Sequence, residues 1–247
     1  MDGRQKRILL VDMKIILASN SPRRRELLSG LGFEYEVRTL QGLDESYPEG
    51  LSMEEIPQYI SRKKAAAYTL GEDELLITAD TIVWLDGEVL GKPANETDAK
   101  QMLRKLSGKT HQVVTGVTLK TPSNFCPPSQ SLPNCSATNG QLPIRGRTWS
   151  GEAAAMSSPP HGGVSGGLHS FSSVSQVTFA ELTDAEIDHY VTNYRPLDKA
   201  GAYGIQEWIG FIGVTSIQGS YFNVMGLPVQ RLYTEMKKLG LIEILNT

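Results

Sequence analysis

The sequence predicts an α/β protein with a mixed β-sheet. Short apolar runs typical of buried strands alternate along the chain with segments that carry helix-capping signals. The two-residue turn signal Asp86-Gly87 lies between two of these runs and predicts an antiparallel hairpin. Strands separated by helices favour parallel pairing, whereas a hairpin requires antiparallel pairing. We therefore expect one sheet that contains both kinds of pairing.

The predicted strands are short and mostly apolar, and several are rich in β-branched residues. We expect His111–Leu119 to pair with Val177–Glu181 across a long intervening segment. The predicted strands are Lys14–Ser19, Tyr35–Thr39, Leu75–Ala79, Ile82–Leu85, Glu88–Leu90, His111–Leu119, Val177–Glu181 and Trp208–Ser216.

The predicted helices begin at residues that can cap their free N–H groups. Two of them show a capping box, formed by Ser52 with Glu55 and by Thr183 with Glu186. Pro57 is expected to kink the first of these helices or to delay its start. The predicted helices start at Pro22, Ser52, Asn95 or Thr97, Thr183 and Leu227, and end near Gly32, Leu70, Gly108, Pro196 and Leu239, respectively.

The composition of the 247 residues, with 40% hydrophobic and 21% charged residues, is that of an ordinary globular protein. A net charge of -3 argues against a general nucleic-acid binder, and two cysteines are too few for a disulfide scaffold. No apolar run reaches the roughly 18–20 residues that a membrane span requires. We therefore expect a soluble, cytoplasmic protein with a single core and no membrane partner.

One segment, residues 122–176, has a different composition. Ser, Pro and Gly make up 26 of its 55 residues, and only Arg145, Arg147 and Glu152 are charged. Such a segment buries too little apolar surface to offset the entropy lost on ordering, so we expect a disordered insertion. The rest forms one domain over residues 13–247, and residues 1–12 are an N-terminal extension that precedes a second methionine, Met13.

The strongest local signal for chemistry is the run from Ser19 to Arg25, which joins a strand to the start of a helix. Free backbone N–H groups and the helix dipole favour an anion at such a junction. Two hydroxyls and the forked donors of Arg23, Arg24 and Arg25 suit phosphate oxygens. The alternative is a solvated basic helix start. Three arginines after two hydroxyls favour the phosphate site.

Five further residues are candidates for a functional site, and each has a structural alternative. They are Asp80, Lys64, Lys92, Glu45 and Gln206. The carboxylate of Asp80 follows an apolar strand and could act as a general base or a metal ligand, although a turn-forming role is slightly favoured by the sequence alone. The lysines and Glu45 could equally be solvated, and Gln206 could belong to a structural turn. The four histidines show no zinc spacing.

Most of these candidate residues lie in seven sequence segments that follow one another along the chain, and an eighth segment comes after them. They are LASNSPRRRELL, DES, KKAAAY, ADTIVWLDGEVLGKP, AKQMLRKLSGKTHQVVTGV, FAELTDAEIDHYV and PLDKAGAYGIQEWIG, followed by GSYFNVMGLP. Together they resemble the Maf family of nucleoside triphosphate pyrophosphatases, over Met13–Leu119 and Val177–Leu239. The resemblance implies a two-lobed fold with an elongated mixed sheet and a central cleft. It also implies hydrolysis of a nucleoside triphosphate to the monophosphate and pyrophosphate.

The resemblance also implies a role for each candidate. Asp80 looks like the proton acceptor that activates water, and Glu45 like a second acid that shares a divalent cation, Mg²⁺ or Mn²⁺, with Asp80. The residues that look like the phosphate-binding set are Ser19, Arg24, Lys64 and Lys92. The residues that match the branch preferring dTTP and UTP are Arg23, Thr81 and Gln206. Family members are often dimers, which makes a homodimer the assembly to test.

Two other functions stay open at this stage. The family is also associated with a non-catalytic role in the regulation of cell division or septum formation, which would need a partner surface rather than turnover. A general anion or nucleic-acid binder is disfavoured by the acidic net charge and by the lack of a basic, aromatic stripe.

The insertion separates two strands that the family joins by a short connection, so we predict that it is an artefact of the gene structure. Residues 1–12 precede the usual start of the family, and the segment from Met13 to Ser19 looks like the natural beginning, so the upstream start at Met1 is expected to be misassigned. Mass spectrometry of the native protein tests the first prediction. Tryptic peptides from residues 122–176 would contradict it, whereas a peptide that joins the flanking strands directly would support it.

Overall fold

The computed structural model describes residues 7–10, 13–123, 125 and 167–245. Within these ranges the chain forms a mixed α/β fold, so the predicted fold class is confirmed. The strands are Arg7–Leu10 (β1), Lys14–Leu17 (β2), Tyr35–Val37 (β3), Glu74–Leu85 (β4), Glu88–Leu90 (β5), Thr110–Lys120 (β6), Leu168–Phe179 (β7), Val214–Gln218 (β8) and Ile242–Leu245 (β9).

The helices alternate with these strands. They are Pro22–Ser29 (α1), Glu55–Ala66 (α2), Glu96–Leu106 (α3), Asp184–Tyr194 (α4), Trp208–Gly213 (α5), Tyr221–Met225 (α6) and Val229–Lys238 (α7), with one turn of 3₁₀-helix at Ala200–Ala202. None of the helices in the described part of the chain is long and apolar enough to cross a membrane.

The main sheet contains seven of the described strands in the order β3-β2-β4-β6-β7-β8, with β5 paired to β4 beside this path. β2 is parallel to both β3 and β4, and the other pairs are antiparallel. The predicted mixed pairing is therefore confirmed. Asp86 and Gly87 both have positive φ angles, of 50° and 89°, as expected for the tight hairpin between β4 and β5.

β4 is one continuous strand, so the prediction of two strands separated at Asp80 is wrong. Its parallel pairing with β2 ends at Leu17 opposite Ile77, but its antiparallel pairing with β6 continues through Asp80 opposite Gly116. The backbone hydrogen bonds of β6 keep the chain extended where the sequence alone suggested a turn. Asp80 consequently lies three residues beyond the last parallel pair, past the carboxyl end of β2.

Both faces of the sheet are covered. Ile15 and Ile77 belong to the large core cluster on one face, whereas Ile16 and Leu76 pack with Ala65 of α2 on the other. This alternation of successive residues between the faces follows from the period of two in a strand. Because apolar residues fill both faces, the short strands read as continuous apolar runs in the sequence.

Helix α2 lies close against β6 because residue 116 is a glycine. A Cβ atom at Gly116 would lie 2.3 Å from the carbonyl carbon of Pro57, a distance that no side chain tolerates. Pro57 is the third residue of α2, where its missing N–H costs no helical hydrogen bond. The predicted delay of the helix start is thus confirmed. The predicted end near Leu70 is wrong, since α2 ends at Ala66.

The segment Trp208–Gly213 is a helix, so the strand predicted for Trp208–Ser216 is wrong over its first six residues. A short apolar run does not distinguish a buried helix from a buried strand. Here Gly210 decides the local packing, because a Cβ atom at this position would lie 1.8 Å from the carbonyl oxygen of Ile205. The strand begins only at Val214, as β8.

Strand β7 begins at Leu168, so the predicted insertion does not extend to Gln176. The serines that suggested disorder there make specific hydrogen bonds within the sheet. The hydroxyl of Ser170 pairs with that of Thr118 at 2.8 Å, and buried Ser175 donates to the carbonyl of Ser220 at 3.0 Å. Residues 124 and 126–166 of the predicted insertion lie outside the described residues.

One helix boundary differs from its prediction, and one helix and one strand pair were not predicted at all. α1 ends at Ser29 rather than near Gly32, because the chain turns at Gly30. Helix α6 and the pairing of β1 with β9 were not predicted. Part of the predicted N-terminal extension therefore forms a strand, in antiparallel register with the last described residues.

Candidate active site

A cleft of about 600 Å³ opens beside the carboxyl end of β2. Its walls come from the start of α1, the loop before α2, the middle of β4, the segment 198–206 and the turn after α6. The structure brings into this one cleft all nine residues to which the resemblance assigns a role, whereas Arg25, the third arginine of the run, does not line it. The nine residues are Ser19, Arg23, Arg24, Glu45, Lys64, Asp80, Thr81, Lys92 and Gln206.

The cleft is cationic although the chain carries a net charge of -3. The charged residues that line it are Arg23, Arg24, Lys64, Lys92 and Lys199, against Glu45, Asp80 and Asp198. A partly enclosed cavity with excess positive charge attracts anions, and the low dielectric of its walls strengthens that attraction. The start of α1, at Ser21 and Pro22, also faces the cleft and adds the positive end of a helix dipole.

At the centre of the cleft, one ammonium group holds two carboxylates. Nζ of Lys64 lies 2.6 Å from Oδ1 of Asp80 and 2.8 Å from Oε1 of Glu45. Nζ of Lys92 lies 3.5 Å from the other carboxylate oxygen, Oε2, of Glu45. Lys64 and Asp80 are both mostly buried, with side chains 13% exposed, whereas Lys92 and Glu45 are more open. Charge-assisted hydrogen bonds of this length fix the relative positions of the two acids.

The surroundings of Glu45 favour its ionised form. Partial burial opposes ionisation, but the hydrogen bond and charge of Lys64, together with the charge of Lys92, outweigh it and lower the pKa of Glu45 below its usual value. The neighbouring Asp44 does not line the cleft. It pairs instead with Lys63 at 2.6 Å.

Arg24 is a partly buried cation whose donors are directed at the protein itself. Its Nε donates to the carbonyl of Gly226 at 2.8 Å, and Nη1 to the carbonyl of Ala79 at 2.8 Å. Its Nη2 donates to Oγ1 of Thr81 at 3.0 Å. Burial lowers the pKa of Arg24, and the charge of Asp80 opposes this effect. This geometry favours a role in holding α1, β4 and the turn after α6 together over direct binding of phosphate.

The hydroxyl of Thr81 continues this network into the core. It pairs with the hydroxyl of Thr115 at 3.0 Å, and Thr115 donates to the carbonyl of Asn223 at 3.0 Å. The amide of Asn223 donates in turn to the carbonyl of Val113 at 3.1 Å. Thr81 is therefore engaged by its neighbours in β6 and by Arg24, and its hydroxyl is not an open group of the cleft.

Three further predicted residues keep groups that face the cleft. Ser19 is buried, and its Oγ accepts the N–H of Ser21 at 3.2 Å. Arg23 lies 3.6 Å from Oδ2 of Asp198. Gln206 lines the cleft, and within the described residues its Oε1 is buried without a hydrogen-bond partner. An unpaired buried acceptor is costly, so a donor from a ligand would complete this site.

The sequence did not single out Asp198, Lys199 and Tyr203, although all three line the cleft. They belong to the segment PLDKAGAYGIQEWIG, from which only the glycines and the terminal amide were considered. Gly201 and Ala202 have positive φ angles of 68° and 58°, so the backbone here is tightly turned. Gly201 in the sequence could have indicated a tight turn, but the burial of Lys199 depends on contacts that only the fold creates.

A cationic cleft with paired acids, set at the carboxyl end of a parallel strand pair in an α/β fold, defines a protein that binds an anionic ligand. The chain belongs to the Maf-like protein family, whose model matches residues 14–138 and 146–239. The matched ranges reach into the low-complexity segment from both sides.

Curated relatives are similar to this chain along nearly its whole length. A dTTP/UTP pyrophosphatase of Phocaeicola vulgatus is 59% identical over 228 residues, which cover 92% of this chain and 96% of that protein. A protein of the same name from Bacteroides fragilis is 51% identical with the same coverage. One from Porphyromonas gingivalis is 44% identical over 231 residues, covering 92% and 94%.

One solved structure is also similar, a nucleoside-triphosphatase / dITP/XTP pyrophosphatase of Mycobacterium abscessus. It covers 75% of this chain and 97% of its own at 16% identity, but its TM-score of 0.34 is too low to support a conclusion.

Behind the cleft wall, His111 is 1% exposed and its Nε2 hydrogen-bonds to the hydroxyl of Tyr203 at 2.7 Å. Burial lowers the pKa of His111 to about 4. An unfolded chain binds a proton at this histidine below a pH of about 6.5, while the folded protein does not until about pH 4. The contribution of neutral His111 to stability is therefore complete above pH 6.5 and is lost as the pH falls toward 4.

We predict that His111→Gln weakens the acid dependence of the free energy of unfolding. The wild-type protein should lose up to about 3 kcal/mol through His111 between pH 6.5 and pH 4, and the variant should lack this part. Urea unfolding at several pH values measures the difference. The matched control is His189→Gln, at an exposed residue of α4, which should keep the wild-type slope. An unchanged slope in His111→Gln would show that His111 does not carry the effect.

Proposed function

We propose that this chain hydrolyses dTTP and UTP between the α- and β-phosphates, releasing the monophosphate and pyrophosphate. The observation that carries the proposal is the pairing of Lys64 with Asp80 in a cationic cleft that also contains Lys92, Arg23 and the unpaired amide oxygen of Gln206. The names of the relatives at 44–59% identity support the same activity and the same pair of nucleotides.

Asp80 is suited to accept a proton from the attacking water. Its Oδ1 accepts the hydrogen bond of Lys64, and within the described residues Oδ2 makes no hydrogen bond, so Oδ2 is open toward the cleft. One O–H bond of the water breaks toward this oxygen while the water oxygen attacks the α-phosphorus. The bond to the β-phosphate then breaks, and its electron pair leaves with pyrophosphate.

The cations of the cleft would bind the negative charge that this reaction shifts. Lys64 and Lys92 lie on either side of Glu45 and can contact the phosphate oxygens, and Ser19 and the start of α1 add donors. Such groups act mainly by position and charge, which accounts for most of the catalysis of phosphoryl transfer. Arg24 would support the site by holding its walls rather than by binding the substrate.

The two acids fit a divalent ion that arrives with the nucleotide. Among the described residues no three acids, histidines or cysteines are grouped as in a metal site made wholly of protein. Asp80 and Glu45 share one ammonium neighbour, however, so their carboxylates are close enough to hold one ion together. Mg²⁺ is commonly held by one or two carboxylates, with phosphates and water as its other ligands. Mg²⁺ or Mn²⁺ there would neutralise phosphate charge.

The base would be recognised through Gln206. The rings of uracil and thymine carry an N3–H donor between two carbonyl acceptors, and a side-chain amide presents one acceptor and two donors. The unpaired Oε1 of Gln206 would accept the N3–H, which cytosine lacks. Arg23 and Thr81 would assist, Thr81 indirectly through its bond to Arg24.

Location and assembly stay proposals from the sequence. We expect the chain to act in the cytoplasm, without nucleic-acid or membrane partners, and a homodimer is the assembly that light scattering should test. A non-catalytic role in cell division would leave the assembled cleft without a use, so the cleft favours the enzyme.

We predict that Asp80→Asn lowers the rate of pyrophosphate release by about a hundredfold or more, because the amide cannot take the proton. Nucleotide binding should persist, since the cations of the cleft are unchanged. Release of pyrophosphate from UTP with Mg²⁺ measures the rate, EDTA removes the ion, and calorimetry measures binding. The matched control Asp188→Asn replaces an exposed acid of α4 that pairs with Lys100, and should retain full activity. Full activity of Asp80→Asn would reject Asp80 as the base.

We predict that Gln206→Met lowers kcat/KM for UTP by about tenfold or more, because two hydrogen bonds to the base are lost. N3-methyl-UTP lacks the N3–H and should be a similarly poor substrate of the wild-type enzyme. The variant should no longer distinguish N3-methyl-UTP from UTP. If the variant still prefers UTP to its methylated analogue by the wild-type factor, Gln206 does not read the N3 position.

A further inference from the structure

A hydrogen-bond network centred on buried Tyr190 and Lys199, with Asp198 exposed at its edge, lies behind the segment that carries Gln206. Nζ of Lys199 lies 2.7 Å from Oδ1 of Asp198 and 3.2 Å from Oε1 of Glu207. The other carboxylate oxygen of Glu207 accepts a short hydrogen bond from the hydroxyl of Tyr190, in α4. Tyr190 is fully buried, and Lys199 is only 7% exposed. None of these side chains is needed for the chemistry proposed above.

The hydroxyl of Tyr190 contacts the chain on both sides of Gln206. It donates to the carboxylate of Glu207, the residue after Gln206, and accepts the backbone N–H of Gly204 at 3.0 Å. Gln206 therefore lies within a four-residue stretch whose two ends are tied to one oxygen atom. Burial and the hydrogen bond to Glu207 raise the pKa of Tyr190, which keeps this hydroxyl protonated and able to donate.

The glycines of the stretch allow this close packing. A Cβ atom at Gly204 would lie 2.8 Å from the carboxylate carbon of Glu207. A Cβ atom at Gly201, which has a φ of 68°, would lie 2.9 Å from the side chain of Val83. A backbone in such a conformation persists only where the surrounding contacts maintain it. Here the contacts on the side of Gln206 come from Tyr190 and Lys199.

The same network includes Arg23, a second residue predicted to determine the preference for the base. Asp198 accepts from Lys199 through Oδ1 and lies 3.6 Å from Arg23 through Oδ2. Lys199 thus links Arg23, by way of Asp198, to Glu207 beside Gln206. Since both Arg23 and Gln206 line the cleft, one lysine connects two of the three predicted determinants of nucleotide preference.

We propose that Tyr190 and Lys199 are positioning residues that fix Gln206 for discrimination between pyrimidine bases, a role that rests on the proposed hydrolysis of dTTP and UTP. Neither residue has an assigned role at the reacting phosphates, although Lys199 also lines the cleft. Their loss should impair the choice of base and leave the chemical step intact. A site aligned by a network of this kind loses selectivity when the aligned group moves by a fraction of an ångström.

The test compares Tyr190→Phe with the matched control Tyr194→Phe. The two rings stack 5.1 Å apart on α4, but Tyr194 is 41% exposed and has no part in the network. In Tyr190→Phe we expect the ratio of kcat/KM for UTP over CTP to fall at least tenfold. The kcat for UTP should stay within about threefold of wild type. Tyr194→Phe should change neither quantity.

Lys199 gives a second, independent variant. Lys199→Met should reduce the UTP/CTP ratio as Tyr190→Phe does, and Lys199→Arg, which keeps the charge, should restore most of it. A merely structural role would lower kcat and thermal stability together without changing the ratio. Circular dichroism and the Tm of each variant establish that it is folded.

Each outcome decides between the alternatives. A folded Tyr190→Phe with the wild-type UTP/CTP ratio would overturn the positioning role, and so would a loss of kcat at an unchanged ratio. If neither Tyr190→Phe nor Lys199→Met folds, the network is structural and the proposal is rejected. A wild-type protein that releases no pyrophosphate from UTP would instead reject the proposed function itself.

Discussion

The pairing of β4 with two neighbours in opposite senses is the constraint on which the cleft depends. The parallel ladder to β2 stops at Ile77, while the antiparallel ladder to β6 continues past Asp80. The end of β2 leaves an open space beside an intact strand, and α1 and α2, which pack on opposite faces of the sheet, both contribute side chains to that space. Asp80 is thus held in register by β6 on one side and faces an opening on the other, which combines rigidity with access.

Around this strand, the charged groups divide into those that build the cleft and those that remain open in it. Arg24 is partly buried and donates to three protein oxygens, so its charge contributes to the field of the cleft while its donors are directed at the protein. Lys64 and Lys92 are paired with acids by contacts that a polyanion and its metal ion could replace. Among the polar groups of the described residues that line the cleft, the amide oxygen of Gln206 is buried and has no protein partner, so it could accept a hydrogen bond from a base.

The sequence predicted the fold class, most strands and helices, and the nine residues that meet in the cleft, because capping boxes, apolar runs and ordered motifs are local signals. The predictions from the sequence were wrong where contacts between segments far apart in the sequence determine the local structure. The sequence around Asp80 predicts a turn, yet β6 keeps these residues extended. The serines near Ser170 predict disorder, yet Ser170 pairs with Thr118 and Ser175 donates to Ser220. Arg24 holds the walls of the cleft, whereas the lysines can contact a ligand, and this difference likewise depends on carbonyl groups from remote segments that bind Arg24.

The bond from Arg24 to the carbonyl of Gly226 joins residues 202 positions apart. A chain growing on the ribosome can therefore not close the cleft until α6 and the turn after it have emerged. Shortened products that stop before Gly226 would leave a buried guanidinium without one of its acceptors. The capacity to bind a nucleotide should thus appear abruptly, near the completion of synthesis, rather than build up with chain length.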